Sequence, residues 1–298
     1  MRVLVGGASG AIGKFLVPQL IAGGHEVIGI TRTRGALAGT GAREIVADVL
    51  DRHALLAALR GVKADAVVHQ LTALKKAPRT IHDMRATDRL RSEGTSTLVA
   101  AARLTGATKF VAASIFYGYG FGNLGLRPID ETSRFGLLNT FGTPDHANES
   151  VLQALLALEE QVHAFGGISL RYGLFYGDAH AEVSPVSRTW NGVLPMVHLS
   201  DAARAVVLAL DRGNTREVYN IADDNPTTYR DREIAIARAA GRRHPQSLPD
   251  GLLRIAAPFG SQLLTSTSVR MVSDKARREL GWEPEFPSIT QWADATAR

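Results

Sequence analysis

The chain has 298 residues, 45% of them hydrophobic, with a formal net charge of +5 and no cysteine. That size suits one large domain or two coupled ones, and the missing thiols exclude disulfides, thiol catalysis and cysteine-ligated metals. The mild positive charge is spread without a basic block, which favours a small anionic ligand over nucleic acid, and no apolar run reaches the ~20 residues that span a bilayer.

A first strand is expected at Val3-Leu4-Val5, breaking into Gly6-Gly7-Ala8-Ser9-Gly10-Ala11-Ile12-Gly13. Gly7, Gly10 and Gly13 recur every three residues, and Ile12, Leu16 and Leu20 follow at helical spacing. Strand, glycine turn and helix in that order build an anion site. Glycines let the backbone approach a pyrophosphate, and the free N–H groups of the helix start point at it. The turn therefore predicts a dinucleotide contact through Gly7, Ser9, Gly10, Ala11, Ile12 and Gly13. Pro18 falls inside the helix and should bend it. With a core strand at the amino terminus, no signal peptide is expected, and the cytoplasm is the expected location.

Gly23-Gly24 ends that helix, and residues 25–31 read as the second strand. A short third strand is expected over 43–47 and a helix over 51–59, capped by Asp51 or the residue before it. Residues 64–70 give the fourth strand, 81–105 one long helix and 109–114 the fifth strand. A loop rich in Gly, Pro and Asn follows over 117–148. Ser150 and Gln153 have capping-box spacing and predict a helix over 151–165, before a sixth strand at 168–172. Such alternation predicts an α/β fold, a doubly wound parallel sheet binding its ligand at the carboxyl ends of the strands. Residues 173–195 look irregular. A helix at 199–210, a strand at 217–222, a helix at 229–240 and short terminal helices complete the pattern. The expected division is a cofactor domain of residues 1–172 and 196–222, with a discontinuous C-terminal substrate lobe of residues 173–195 and 223–298.

The second strand ends in Thr31-Arg32-Thr33-Arg34. Without a carboxylate to hold ribose hydroxyls, Arg32 and Arg34 favour a 2′-phosphate, hence NADP over NAD. Asp48-Val49 follows the third strand, where Asp48 either reaches an adenine amino group or caps the next helix. Leu71, Thr72 and Ala73 leave the fourth strand above the expected cofactor. Ser114 ends the fifth strand, placed to hydrogen-bond a substrate oxygen, and Tyr117 and Tyr119 are nearby phenols able to move a proton.

The glycine turn, Asp48-Val49, residues 113–118 and Leu170-Arg171-Tyr172-Gly173-Leu174-Phe175-Tyr176-Gly177 resemble the extended or atypical short-chain dehydrogenase/reductase superfamily. Within it, the chain is most similar to the NAD(P)-dependent epimerase/dehydratase group, and the likeness continues through 197–203, 218–224 and 275–284. The resemblance implies a Rossmann domain, a nicotinamide cofactor and a small substrate between the lobes. It also implies a Tyr-x-x-x-Lys pair on the helix after the long loop, with Glu four residues beyond the Lys. If Glu159 is that Glu, Val151 and Leu155 stand in those places; if Glu160, Leu152 and Leu156 do. The usual Tyr–Lys partnership is then absent, and an acid or base must come from Tyr117, Tyr119, His146, Tyr176, His180 or His198. Tyr117 and His146 lead, the first following Ser114 and the second preceding the replaced motif. The segment between Tyr176 and His198 is brief and holds one arginine, Arg188, which disfavours a nucleotide sugar.

The leading expectation is an NADP(H)-dependent oxidoreductase acting on a small carbonyl or alcohol, with secondary metabolites among the candidates. Ser114 would polarise the oxygen and Tyr117 would supply the proton. The alternatives are a redox-neutral epimerase, dehydratase or cyclase using the same cofactor, and a non-catalytic NADP(H)-sensing protein. No metal, nucleic-acid or membrane partner is expected. A homodimer is compatible with the flanking helices but not selected by them.

Overall fold

The computed structural model describes residues 1–125, 127–136, 146–178 and 182–297. β1 (Arg2–Gly6) buries Val3, Leu4 and Val5 completely, because helices cover both faces of the sheet it belongs to. It is followed by α1 (Gly13–Ala22), β2 (Glu26–Thr31), β3 (Arg43–Val46), α2 (Arg52–Ala58) and β4 (Ala66–His69). Asp51 caps α2, its side chain accepting from the Ala54 amide at 2.9 Å. Pro18 lies within a continuous α1.

The stretch expected as one long helix changes pitch instead. A 3-10 turn (Ile81–Met84) leads into α3 (Arg85–Arg89), a π-helical turn (Leu90–Gly94) and α4 (Thr95–Thr105). Hydroxyls compete for the carbonyl ladder there: Ser92 Oγ donates to Asp88 O at 2.9 Å, Thr95 Oγ1 to Arg91 O at 2.5 Å and Thr97 Oγ1 to Glu93 O at 3.1 Å.

β5 (Lys109–Ile115) passes through a 3-10 turn (Phe116–Tyr119) into the long loop, which is stitched to the C-terminal part by Asn123 pairing with Ser268 and Ile129 with Met271. α5 (His146–Phe165) starts before the expected capping box. Gln153 Nε2 donates to Glu149 Oε1 at 2.9 Å, one turn back, so Ser150 sits inside the helix. β6 (Ile168–Tyr172) ends the first run.

The segment expected to be irregular, residues 173–195, holds short paired strands, β7 (Leu174–Tyr176), β8 (Val186–Ser187) and β9 (Val193–Leu194), and β10 (Met196–His198) follows it. Then come α6 (Leu199–Arg212), β11 (Val218–Ile221), β12 (Thr227–Thr228), α7 (Tyr229–Ala239), β13 (Ser247–Leu248) and α8 to α11 (Asp250–Ala256, Ser261–Thr265, Asp274–Leu280, Ile289–Thr296). β7 pairs with β10, β8 with β13 and β9 with β12.

Seven parallel strands form the central sheet in the order β3-β2-β1-β4-β5-β6-β11. The order reverses between β1 and β4, which opens a crevice at their carboxyl ends. Leu16, Leu20, Val206 and Leu210 of α1 and α6 pack one face, and Leu55, Leu98 and Leu158 of α2, α4 and α5 pack the other. A third apolar cluster beyond the sheet joins Tyr117, Val151 and Leu155 to Tyr176, Leu194, Met196, Ile236, Met271 and Trp292. Among the described residues, no helix is long and apolar enough to cross a membrane, and no group of His, Asp and Glu is placed to hold a metal ion.

Candidate active site

The β1–α1 turn has the geometry of a phosphate cradle. Gly7 takes φ +94°, and a Cβ there would stand 2.6 Å from Gln70 O. Gly10 N donates to Gly7 O at 2.9 Å, whereas the amides of Ala11, Ile12 and Gly13 donate to no acceptor among the described residues. Ser9, Gly10 and Ala11 are exposed beside those free donors. Backbone N–H groups at the start of a ten-residue helix suit a diphosphate, so the residues present fit a dinucleotide.

Arg32 and Arg34 are exposed, and neither has an ion-pair partner among the described residues. A carboxylate invisible in the linear reading of this strand end, Glu44 of β3, accepts from Gly35 N at 2.8 Å and Leu37 N at 3.3 Å. The Gly35 bond holds Glu44 below the usual carboxylate range, so it braces the loop as an anion. Asp48 is exposed and accepts from Leu50 N at 2.9 Å; Asp51, not Asp48, caps α2. Val49 is buried in the core beneath. Leu71, Thr72 and Ala73 lie next to the glycine turn, since Gly6 pairs with His69 and Gln70 N donates to Gly6 O at 2.8 Å. Gln70 itself is 7% exposed, and its buried carboxamide interacts with the Tyr172 hydroxyl without a well-formed hydrogen bond among the described residues. Sequence reasoning passed over it; an amide inside an apolar strand end was the available signal.

Ser114 is buried and faces α5. Its Oγ donates to Glu159 Oε1 at 2.7 Å, and Glu159 also receives Arg171 Nε at 2.9 Å and Arg171 Nη2 at 2.7 Å. Arg171 Nη1 donates to the Tyr119 hydroxyl at 3.0 Å, which donates to Asn220 Oδ1 at 2.7 Å. Ser114 and Tyr119 thus belong to one buried polar network linking β5, α5, β6 and β11.

Tyr117 differs from the other five tyrosines. Tyr119, Tyr172, Tyr176, Tyr219 and Tyr229 all have hydroxyl partners, while that of Tyr117 has none among the described residues. Burial pushes the Tyr117 phenol up to about 12, so it keeps its proton at neutral pH. His198 is held down to about 4 by burial; its Nδ1 accepts from Ser200 N at 3.2 Å, and its ring packs on Tyr176 and Phe286. Tyr176 bonds Asp223 Oδ2 at 3.1 Å and Phe286 O at 3.0 Å. His146 opens α5, but its side chain lies outside the described residues, as does His180. Val151 and Leu155 are buried in the same apolar cluster as Tyr117 and Phe116. On that helix face neither offers a phenol or an ammonium.

Residues 3–222 match the NAD dependent epimerase/dehydratase family. A 3-diazoavenalumate denitrifying reductase from a Streptomyces species is 35% identical over the whole of both chains. A UDP-glucose 4-epimerase from Lacticaseibacillus casei is 27% identical, covering 97% of this chain and 93% of its own. Among solved structures, the UDP-glucose 4-epimerase of Thermotoga maritima with UDP-glucose superposes with a TM-score of 0.76 at 21% identity, covering 99% and 98% of the two chains. The dTDP-glucose 4,6-dehydratase of Streptomyces venezuelae with NAD bound gives 0.76 at 23% identity, covering 100% and 95%. These low identities speak for the fold, and the family match and the full-length reductase carry the assignment. The chain is an enzyme of the NAD-dependent epimerase/dehydratase family, within the extended short-chain dehydrogenase/reductase superfamily.

Proposed function

We propose that this enzyme is an NADPH-dependent reductase acting on a small electrophilic carboxylate held between the carboxyl edge of the sheet and the apolar cluster around Tyr117. The observation that carries this reading is the face of α5, where the buried aliphatic side chains of Val151 and Leu155 share an apolar cluster with Tyr117. A reduction that delivers hydride to an already electron-poor centre needs no proton-transfer pair on such a face. Reductive loss of dinitrogen from a diazonium has this character: one hydride supplies two electrons, the carbon–nitrogen bond breaks, a carbon–hydrogen bond forms and N2 leaves. The full-length likeness to a reductase named for a diazo carboxylate supports the same class.

A bound reduced nicotinamide supplies the hydride. The turn residues Gly7, Ser9, Gly10, Ala11, Ile12 and Gly13 would hold its diphosphate, Arg32 and Arg34 its 2′-phosphate and Asp48 its adenine. Leu71, Thr72 and Ala73 would wall the nicotinamide half. Tyr117, with its proton retained, orients the substrate by donating a hydrogen bond. Residues 173–195 and 223–298 form the substrate lobe in this reading.

The test is anaerobic NADPH oxidation followed at 340 nm with 4-carboxybenzenediazonium, against an enzyme-free control. Stoichiometric benzoate with enzyme-dependent NADPH loss supports the proposal, as does slower turnover with NADH. Tight NADPH binding without turnover of diazonium or carbonyl compounds would overturn it. The family match favours a second reading, redox-neutral epimerisation or dehydration, marked by product without net absorbance loss.

A further inference from the structure

Tyr176 has one hydroxyl proton and two acceptors. Its oxygen lies 3.1 Å from Asp223 Oδ2 and 3.0 Å from Phe286 O, and a phenol has a single proton to donate. Asp223 follows β11 and is 6% exposed, with its amide donating to Met196 O of β10 at 2.7 Å. Its Oδ1 is sealed from solvent. The Asn225 amide acts on the carboxyl, but Oδ1 makes no well-formed hydrogen bond among the described residues. Both contacts of Tyr176 are satisfied together only when Asp223 carries a proton: Oδ2–H donates to the phenol oxygen, and the phenol donates to Phe286 O. An ionised Asp223 takes the phenol's hydrogen bond for itself, because a carboxylate is a stronger acceptor than a peptide carbonyl. Phe286 O then loses its donor.

The charges around this carboxyl oppose its ionisation. Asp201 of α6 and the adjacent Asp224 are anionic neighbours. The cations beside them are engaged: Arg204 donates to Asp201 Oδ1 at 2.9 Å and lies 3.6 Å from Glu285, while Arg277 of α10 bonds Asp224 and, at 3.0 Å, Glu283. His198 of β10 meets the Tyr176 ring at 5.3 Å and is held neutral by burial, and α11 presents the Trp292 ring at 5.7 Å. Burial, with these anions, pushes Asp223 up to about 8.

Phe286 is the middle of a segment fastened at several points. Asp201 accepts the amides of Glu285 and Phe286 at 2.9 and 3.1 Å, and Asn225 Nδ2 donates to Pro287 O at 2.8 Å. Ile289 and Trp292 of α11 then enter the apolar cluster that contains Tyr117.

We propose that the proton held between Asp223 and Tyr176 latches segment 285–287 to β7 and the end of β11, and that its loss at alkaline pH loosens this segment and the α11 side of the apolar cluster. The latch is closed while Asp223 is protonated and opens as pH rises through about 8. It is independent of the reductase reading, and its test needs neither cofactor nor turnover.

The test is hydrogen exchange read by mass spectrometry on a peptide covering residues 284–288 at pH 6.5 and 9, each rate divided by the intrinsic rate at that pH. Wild type is expected to lose at least tenfold in protection over this interval. Asp223→Asn, which keeps a neutral donor in place, should stay protected at both values. Tyr176→Phe removes the hydroxyl and should show low protection at both, without a step, which keeps the test decisive where Asp223→Asn misfolds. A wild type without a step, or an equal step in either variant, overturns the latch. So does protection equal to that of residues 2–6 at both pH values, which would assign the exchange to global unfolding.

Discussion

Arg171 grips Glu159 with two bonds, Nε to Oε1 at 2.9 Å and Nη2 to Oε2 at 2.7 Å, and the pair is 7% exposed on each side. The Phe135 ring lies 3.5 Å below the guanidinium carbon, and Ser114 Oγ completes the coordination of Oε1. This is a brace between α5 and β6, set beneath the crevice.

Removing one partner leaves a buried charge without its counterion. Glu159→Gln should destabilise the protein by about 3–5 kcal/mol. Ser114→Ala, which removes a single hydrogen bond to a charged group, should cost about 1.5–3 kcal/mol. Chemical denaturation checks both, and the double variant should lose less than the sum because Glu159 is shared. Turnover per folded molecule of Ser114→Ala is expected within threefold of wild type; a larger fall would return Ser114 to the chemistry.

Gln70 should show opposite effects on stability and on binding. Replacing a buried carboxamide that lacks a well-formed hydrogen bond by leucine removes a desolvation penalty of about 1–3 kcal/mol. Gln70→Leu should therefore match or exceed wild type in melting temperature without ligand. If the carboxamide meets the cofactor, the extra stabilisation given by saturating NADPH should shrink. Thermal melts with and without NADPH measure both.

Arg32→Ala should raise the KM for NADPH at least tenfold and leave that for NADH within twofold, since the exposed guanidinium faces only the extra phosphate in this reading. Equal effects on both coenzymes, in steady-state assays at fixed ionic strength, would remove the 2′-phosphate assignment.

Three buried groups with large shifts dominate the pH dependence of stability. His69 and His198 fall from 6.5 to about 4 through burial, so their contribution is full above 6.5 and is lost as pH drops towards 4. Asp223, raised by burial from 3.8 to about 8, acts oppositely: its contribution is full below 3.8 and is lost as pH climbs to 8. Each slope is about 1.4 kcal/mol per pH unit. Two histidines outweigh one aspartate below 6.5, and the aspartate acts alone above it, so stability should peak near pH 6.5. Asp223→Asn should flatten the alkaline side in denaturant titrations between pH 6.5 and 8.

Val3, Leu4 and Val5 and the spacing of Gly7, Gly10 and Gly13 made the sheet and its crevice legible, because local pattern and tertiary demand agree there. Strand ends and pocket chemistry were harder. Ser114 is legible as the end of a strand, but its hydrogen bond to Glu159, a partner 45 positions away, is not. Asp223 was silent for a related reason: an aspartate in an Asp-Asp pair reads as solvated until Tyr176, 47 positions away, is seen to bond its buried carboxyl. The short strands after Tyr172 escaped notice because strands of two or three residues carry no period. The start of α5 was misplaced because Gln153 had a nearer partner in Glu149.

Asp201 receives the amides of Glu285 and Phe286 at 2.9 and 3.1 Å, and its carbonyl accepts the Trp282 indole at 3.0 Å. The strap holding the start of α6 is thus made by residues 84 and 85 positions further along the chain, after every strand of the central sheet. A chain synthesised only as far as α7 has all seven strands but not this clasp. A stop codon ahead of Trp282 should therefore act as a loss-of-clasp mutation, sparing the strands and glycine turn of the cofactor half while leaving the start of α6 unsecured.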